Sequence, residues 1–348
     1  MAGFEGTTLT PQTEDLIRNR HVGGLILFGR NYENPTQLLN LIKDLQGLAL
    51  SLPAAQPLFI SVDQEGGRVA RLKKPFTDYP PICCIGNSRS EDLAYHFGKA
   101  LAVELKSVGI NKDYAPVLDV NTNPQNPIIG DRALSNQPEQ VARLGISMMR
   151  GFKETGVIPV GKHFPGHGDT TVDSHLDLPY VTRDASSLEQ TELYPFAQAI
   201  RSGLDIIMTA HVIYTAWDDK YPATFSRVIL QDILRGKLGY QGIILSDDLE
   251  MKAIEHHFPF ESLPTLGVEA GLDQFMICNN PDKVKALQDQ MMLDLEQGRI
   301  PIEKVERSVQ RILAVKSRID RTLPPEPDVE TWAKPHQKLA EEIKSYAQ

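Results

Sequence analysis

Residues 157–179 read V-I-P-V-G-K-H-F-P-G-H-G-D-T-T-V-D-S-H-L-D-L-P, and this stretch organises the rest of the chain. Its first four residues form a short apolar run that is typical of a buried strand. The following segment, residues 162–179, carries three histidines and three aspartates among glycines and prolines: His163, His167, His175, Asp169, Asp173 and Asp177. So many proton-transferring groups on one flexible segment are suited to chemistry rather than packing. We therefore predict a catalytic loop that leaves the end of a strand.

The chain on either side alternates short apolar runs with helical patterns, which indicates βα units and a parallel sheet. A polar or ionisable residue lies at the carboxyl end of nearly every predicted strand. The predicted strands are residues 25–28, 57–62, 114–120, 157–160, 206–210, 242–246 and 272–277, with Asp63, Asp119, His211, Asp247 and Cys278 near their ends. Parallel barrels gather their chemistry at that rim. An open doubly wound sheet usually carries a G-x-G-x-x-G turn after a strand, and no such turn follows a predicted strand here. We predict an α/β fold, a single-domain (β/α)8 TIM-type barrel.

The helix signals fit the same architecture. Asn34 is predicted to cap a helix that begins at Pro35. Asn136 is predicted to cap the next well-marked helix, with Pro138 in its first turn and Glu139 in the capping-box position, and Gly156 to end it. Further helices are predicted at residues 188–200, 228–234 with Ser226 as cap, 284–295 and 302–313. The barrel should occupy residues 1–320, and residues 321–348 should form a C-terminal extension, helical or partly ordered.

The sequence leaves little room for the first strand of the barrel. Only residues 1–4 precede a predicted turn at Glu5 and Gly6. Either the first strand is very short or native residues precede Met1.

Composition limits the partners and the compartment. A net charge of −9 over 348 residues argues against nucleic acid as a main partner. No apolar stretch approaches the ~20 residues that span a bilayer, and the N-terminus lacks the pattern of a signal peptide. Three cysteines, two of them adjacent, favour reduced thiols in a cytoplasmic protein. We expect a monomer that binds a small molecule, with no membrane insertion and no cofactor or metal.

Two groups are candidates for the chemistry. Asp247 is expected at a strand end and aimed into the barrel mouth; its neighbour Asp248 must point the other way, so only one faces the cavity. Both aspartates could instead cap the following helix. Asp173 lies two residues before His175 and can accept from one ring nitrogen while the other moves a proton. Hydroxyl-rich ligands would be held by the polar side chains of Asp63, Arg71, Arg132, Lys162 and His163.

Five motifs in one order resemble the family 3 glycoside hydrolases, and more narrowly their single-domain bacterial β-N-acetylglucosaminidases of cell-wall recycling. They are G-G-L-I-L-F-G-R-N at residues 23–31, V-D-Q-E-G-G-R-V-A-R at 62–71, G-D-R-A at 130–133, K-H-F-P-G-H-G-D-T-x-x-D-S-H at 162–175 and I-I-L-S-D-D-L-E-M at 243–251. The resemblance covers about residues 3–319.

The resemblance implies a role for each matching position. Asp247 corresponds to the nucleophile that forms a covalent glycosyl-enzyme, His175 to the general acid/base and Asp173 to the partner of that histidine. Asp63, Arg71, Arg132, Lys162 and His163 correspond to residues that hold an N-acetylglucosamine ring. The implied substrate is a terminal, non-reducing β-linked N-acetylglucosamine on a muropeptide in peptidoglycan recycling. The acid/base loop is expected to move during turnover.

Three other classes of enzyme are compatible with the sequence. A phosphorylase of the same family would use phosphate in place of water. A metal-dependent barrel hydrolase could draw its ligands from His163, His167, Asp169 and His175. A Schiff-base lyase could use Lys162. No role is assigned to His256 and His257.

Overall fold

Eight parallel strands in sequential order form the central sheet of the computed structural model, which describes residues 1–347. The strands are β1 (Ala2–Gly3), β2 (Gly24–Leu27), β3 (Phe59–Val62), β4 (Lys112–Asp113), β5 (Ile158–Phe164), β6 (Ile206–Thr209), β7 (Ile243–Asp248) and β8 (Gln274–Met276). A parallel bridge between Ala2 and Ile277 joins the two ends of the sheet. The sheet is therefore a barrel, and the predicted (β/α)8 fold with a short first strand is confirmed.

Close backbone approach makes the barrel closure possible. The Gly3 N–H donates to the Ile277 carbonyl at 2.8 Å, and the Ile277 N–H donates to the Met1 carbonyl at 3.1 Å. A Cβ atom at position 3 would lie 1.8 Å from the Cys278 carbonyl oxygen, so only glycine fits there.

Helices surround the barrel and connect its strands. The α-helices are α1 (Pro11–Arg18), α2 (Pro35–Ser51), α3 (Cys83–Ser88), α4 (Glu91–Ser107), α5 (Pro138–Thr155), α6 (Ala185–Gln190), α7 (Leu193–Arg201), α8 (Lys252–Glu255), α9 (Leu263–Ala270), α10 (Pro281–Glu296), α11 (Ile302–Lys316) and α12 (Val329–Lys344). A π-helix spans Val228–Lys237, and short 3₁₀ turns cover Gly29–Asn31, Gly130–Arg132, Ala223–Phe225 and Phe260–Ser262. Among residues 1–347, no helix is both long and apolar enough to cross a membrane.

Apolar side chains fill the inside of the barrel. Strand residues such as Phe59, Val160 and Leu245 form one buried cluster, which also contains Val315 from the last turn of α11 and Ile319 just beyond that helix. A larger cluster lies between the strands and the outer helices. This two-layer core holds the strands rigidly, which fixes the side chains at their carboxyl ends.

Four local predictions are corrected by the structure. The strand predicted at residues 114–120 does not form: β4 lies just before it, at residues 112–113, and Val117 makes an isolated bridge to Lys162, because Pro116 has no N–H for the ladder. The strand predicted at 157–160 is longer, so Lys162 and His163 belong to β5 and not to the loop.

Asn136 does not cap α5: the N-cap residue is Gln137, whose N–H donates to the Ser135 hydroxyl. The helix predicted at 188–200 is broken at Thr191 into α6 and α7.

The last helix, α12, lies against the helices on one flank of the barrel. Its Trp332 stacks on Phe76, with ring centroids 5.8 Å apart, and His336 Nδ1 lies 2.8 Å from Glu104 Oε1. Residues 329–344 are thus tied to the body of the protein by both an aromatic and a polar contact.

Candidate active site

The ionisable residues at the strand ends meet at the carboxyl-terminal mouth of the barrel. Asp63 directly follows β3, Lys162 and His163 lie in the second half of β5, and Asp247 is the last but one residue of β7. Because the strands are parallel, these side chains share one rim.

Two buried cations and two carboxylates form a tight cluster at this rim. Lys162 Nζ lies 2.7 Å from Asp63 Oδ1 and 2.6 Å from Glu65 Oε1. Arg132 donates twice to Glu65, from Nε to Oε2 and from Nη2 to Oε1, both at 2.9 Å. Although burial opposes ionisation, Lys162 and Arg132 hold the pKa of Glu65 far below its ordinary value. Both cations are therefore paired and fixed in place before any ligand arrives.

Glu65 is central to this cluster, although it was not among the predicted site residues. It lies in a small antiparallel hairpin, Gln64–Gly66 with Val69–Ala70. Gly66 has a φ of 91° within the turn, and a Cβ atom there would lie 2.9 Å from the Pro80 carbonyl oxygen. The signal was present in the sequence: in extended backbone, residues two apart point the same way, so Glu65 should accompany Asp63.

Another buried carboxylate, that of Asp119, orients His163. Asp119 Oδ2 lies 2.7 Å from His163 Nδ1, while Oδ1 accepts from the backbone N–H groups of His163 and His167. Burial opposes ionisation of Asp119, but these two histidines and the backbone donors lower its pKa. Because Asp119 engages Nδ1, Nε2 is the ring nitrogen of His163 that is left for a ligand. Asp119 was noticed only as a strand-end residue.

Asp247 and Asp248 occupy different electrostatic surroundings. Burial alone would raise the pKa of Asp247, but interaction with the nearby histidines, most strongly with His163, outweighs burial and lowers it. Burial raises the pKa of Asp248 to about 7, and its Oδ1 accepts from the Glu250 and Cys278 N–H groups. Asp247 is thus the ionised carboxylate that faces the histidines, whereas Asp248 supports the backbone beside β8.

His211, two residues beyond β6, supports the backbone next to Asp247. Its Nε2 lies 3.0 Å from the Asp248 carbonyl oxygen and so donates to it, and its Nδ1 lies 2.7 Å from Thr224 Oγ1. Burial lowers the pKa of His211, which favours the neutral ring at this position. This residue ends a predicted strand, but no motif in the sequence assigns it a role.

Asp173 and His175 pair as their spacing predicts. Asp173 Oδ1 lies 2.9 Å from His175 Nδ1 and also accepts from the His175 backbone N–H at 2.8 Å. The His175 side chain is 59% exposed, while that of Asp173 is 23% exposed. Burial opposes ionisation of Asp173, but the hydrogen bonds from His175 lower its pKa. The imidazole is therefore held by an ionised partner on one nitrogen and open to solvent on the other.

Arg71, another predicted ligand-binding residue, makes no side-chain hydrogen bond to the cation–carboxylate cluster and lies beside Phe28 instead. Its guanidinium carbon lies 5.6 Å from the Phe28 ring centroid, and within residues 1–347 its buried Nε has no hydrogen-bond partner. A buried donor without a partner is costly, so this group is suited to a ligand acceptor.

No group of three His, Cys, Asp or Glu side chains within residues 1–347 could hold a metal ion.

His167 anchors the start of the catalytic loop and gives a pH-dependent prediction. Its Nδ1 contacts Thr170 Oγ1 at 2.9 Å, and its Nε2 contacts Ser174 Oγ at 3.0 Å. Burial, followed by the charge of His163, lowers the pKa of His167 from 6.5 to about 4. The unfolded chain therefore takes up this proton first as the pH falls.

We expect His167 to make its full contribution to the free energy of unfolding above pH ~6.5. As the pH falls toward ~4, the free energy of unfolding should decrease by on the order of 3 kcal/mol because this contribution is lost. Denaturant unfolding of the wild type and of His167→Gln at several pH values measures this dependence. The variant should show a shallower decrease over that interval. Equal slopes for the two proteins would contradict the assignment.

Comparison with known proteins defines the class. The family model described as the glycosyl hydrolase family 3 N-terminal domain matches residues 6–315. The chain is 42% identical over 293 residues to a β-hexosaminidase of Nitrosomonas eutropha, covering 82% of each chain, and 41% identical over 292 residues to one of Tolumonas auensis, covering 83% and 85%. The family-model match spans the positions of all five motifs, residues 23–251.

Solved structures agree with this match. A family 3 β-N-acetylglucosaminidase from Paenibacillus sp. str. FPU-7 superposes with a TM-score of 0.93 at 39% identity, over 99% of this chain and 66% of that one. NagZ from Neisseria gonorrhoeae superposes with a TM-score of 0.84 at 32% identity, over 100% and 97% of the two chains. The barrel and its rim are those of a glycoside hydrolase. The chain belongs to glycoside hydrolase family 3 and is a hydrolase of the β-N-acetylhexosaminidase type.

Proposed function

We propose that the chain is a retaining exo-β-N-acetylglucosaminidase in which Asp247 is the nucleophile, His175 the general acid/base and Asp173 its partner. The observation that carries the proposal is the contrast between two adjacent carboxylates: Asp247 is ionised among histidines and accepts one backbone N–H, whereas Asp248 accepts two backbone N–H groups and burial favours its neutral form. A nucleophile must be ionised and free to approach a sugar carbon. Only Asp247 meets both requirements.

In the first chemical step, a carboxylate oxygen of Asp247 would attack C1 of the sugar. The bond from C1 to the leaving oxygen breaks, and the proton on His175 Nε2 moves to that oxygen. The product is a sugar esterified to Asp247, together with a free alcohol. Asp173 stabilises the imidazolium form from which the proton departs.

In the second step, the neutral His175 would remove a proton from water as the water oxygen attacks C1. The ester bond breaks, Asp247 regains its charge, and His175 is again protonated. Two inversions at C1 give net retention of the β-configuration. A histidine can perform both transfers because its ordinary pKa lies near neutrality.

The cation–carboxylate cluster would hold the sugar ring. Asp63 keeps an acceptor oxygen beyond its bond to Lys162, and Arg132 is fixed by two bonds to Glu65. Lys162, His163 and Arg71 add donors around the mouth. Such fixed polar groups suit the closely spaced hydroxyl groups and the acetamido group of N-acetylglucosamine, since little entropy is lost on binding.

The biological setting is part of the same proposal. The resemblance to cell-wall recycling enzymes, and the similarity to NagZ, support a muropeptide substrate that carries a terminal β-N-acetylglucosamine. The three cysteines, Cys83, Cys84 and Cys278, are all free, which supports a reducing, cytoplasmic compartment. We also propose that the protein acts as a monomer.

The stereochemical course tests the proposed function directly. Proton NMR during hydrolysis of a chromogenic β-N-acetylglucosaminide should show the β-anomer of N-acetylglucosamine first, with the α-anomer appearing later by mutarotation. The matching β-glucoside should be turned over far more slowly, because it lacks the acetamido group. An α-anomer formed first, or equal rates on both sugars, would contradict the proposal. A sugar phosphate formed in phosphate buffer would favour the phosphorylase instead.

A further inference from the structure

The segment that follows the β7 strand contacts the catalytic loop at three points. The Ala253 N–H donates to the Ser174 carbonyl at 3.3 Å. Leu178 forms a small apolar cluster with Ile213 and Ala253, and Phe258 packs against it. The third contact is polar: His257 Nε2 lies 2.8 Å from Asp177 Oδ1 and donates to that carboxylate. The strand that carries Asp247 therefore leads directly into the segment that supports His175.

We propose that His257 is a positioning residue for the acid/base histidine: its bond to Asp177 holds the catalytic loop in the position from which His175 reaches the leaving oxygen. This inference rests on the proposed function, because it takes His175 to be the acid/base group. His257 is not expected to touch the substrate. Its effect is exerted through the loop.

The local geometry transmits a contact at Asp177 to His175. The Asp173 carbonyl accepts from the N–H groups of Leu176 and Asp177, at 2.9 and 3.1 Å, so residues 173–177 form one closed turn. Within this turn Asp173 also fixes both the backbone and the ring of His175. A change in the contact at Asp177 is therefore expected to shift the whole turn, including the imidazole of His175. Ser174, buried beneath it, contacts His167 and provides the second support.

The exposure of the turn makes this contact important. His175 is 59% exposed and Asp177 is 65% exposed, so little apolar burial holds this part of the loop. Segments with few buried contacts open at low free-energy cost, and single polar contacts then shift their population. The hydrogen bond from His257, followed by that from the Leu178 N–H, lowers the pKa of Asp177, which keeps the carboxylate ionised. The charge of His256 acts on Asp177 in the same direction but more weakly.

Leaving-group dependence separates positioning of the acid from general damage. A substrate with a poor leaving group needs protonation of the departing oxygen, whereas a dinitrophenyl glycoside does not. For His257→Ala we expect kcat/KM to fall about two- to fivefold on the poor leaving group, the range that an exposed ion pair permits, with no change on the dinitrophenyl glycoside. Asp177→Ala should give the same pattern, and the double variant should lose no more than either single one.

Matched variants complete the test. His256→Ala changes the neighbouring exposed histidine and should leave both substrates unaffected, and His257→Gln, which keeps a donor, should recover most of the loss. An equal loss on both substrates, no loss on either, or a gain for His257→Ala would overturn the inference. His175→Ala is measured in parallel. If it shows leaving-group dependence and His257→Ala does not, only this inference fails; if His175→Ala shows none, the proposed acid/base role fails with it.

Discussion

Replacing Asp247 by asparagine is expected to reduce kcat/KM for a chromogenic β-N-acetylglucosaminide on the order of 10⁴-fold or more. The amide is nearly the same size and can still accept the Asp248 N–H, as Asp247 Oδ1 does now at 2.8 Å. It cannot, however, form the glycosyl ester. The loss should therefore appear in turnover, while folding and sugar binding are retained.

Asp248→Asn is the matched control. Its amide oxygen can accept the same two N–H groups that Asp248 Oδ1 accepts now, from Glu250 and Cys278. Burial already favours the neutral form of this carboxyl, whose pKa is about 7. We expect activity within a few-fold of the wild type. A control variant as inactive as Asp247→Asn would remove the distinction between the two carboxylates.

Replacing His175 by alanine should produce the second largest loss, and its size should depend on the substrate. We expect kcat/KM to fall about 10²- to 10⁴-fold on a poor leaving group, because the proton donor is absent. On a dinitrophenyl glycoside the first step should be nearly unaffected. The second step should then be slow, because no base activates water.

Azide gives an independent reading of the same variant. As a nucleophile that needs no deprotonation, it should restore turnover of the dinitrophenyl glycoside by His175→Ala and yield the β-glycosyl azide. His256→Ala, which alters an exposed histidine nearby, should show neither the loss nor the rescue. A uniform loss on all substrates without azide rescue would contradict the acid/base role of His175.

The sequence indicated the fold because parallel strands buried on both faces leave continuous apolar runs, and polar residues followed most of them. Details that depend on backbone chemistry were less accessible. The strand at residues 114–120 looked continuous, yet Pro116 interrupts its ladder. Asn136 looked like a helix cap, yet the nearby Ser135 hydroxyl accepts the Gln137 N–H instead. The first outcome depends on a proline that cannot donate to the strand ladder, and the second on a choice between neighbouring residues of similar capping propensity.

The residues of the candidate site also divide into those that the sequence marks and those that only tertiary contacts reveal. Asp63, Lys162, His163 and Asp247 could be named because strand ends and motifs mark them. The position of Glu65 beside Asp63 follows from their spacing, but its role does not, because Lys162 and Arg132 converge on it from distant parts of the chain. His257 lies 80 positions from Asp177, and no local pattern connects the two. Tertiary contacts of this kind are set by packing, so the sequence alone leaves them open.

Trapping the covalent intermediate tests the central claim most directly. A fluorinated N-acetylglucosaminide with an activated leaving group should form the glycosyl-enzyme quickly and hydrolyse slowly, because fluorine destabilises both oxocarbenium-like transition states. Peptide mapping by mass spectrometry should then find one sugar on the peptide that contains Asp247, with the ester at that residue. A sugar attached to Asp248 or to any other residue, or turnover through an oxazoline with no protein adduct, would contradict the account.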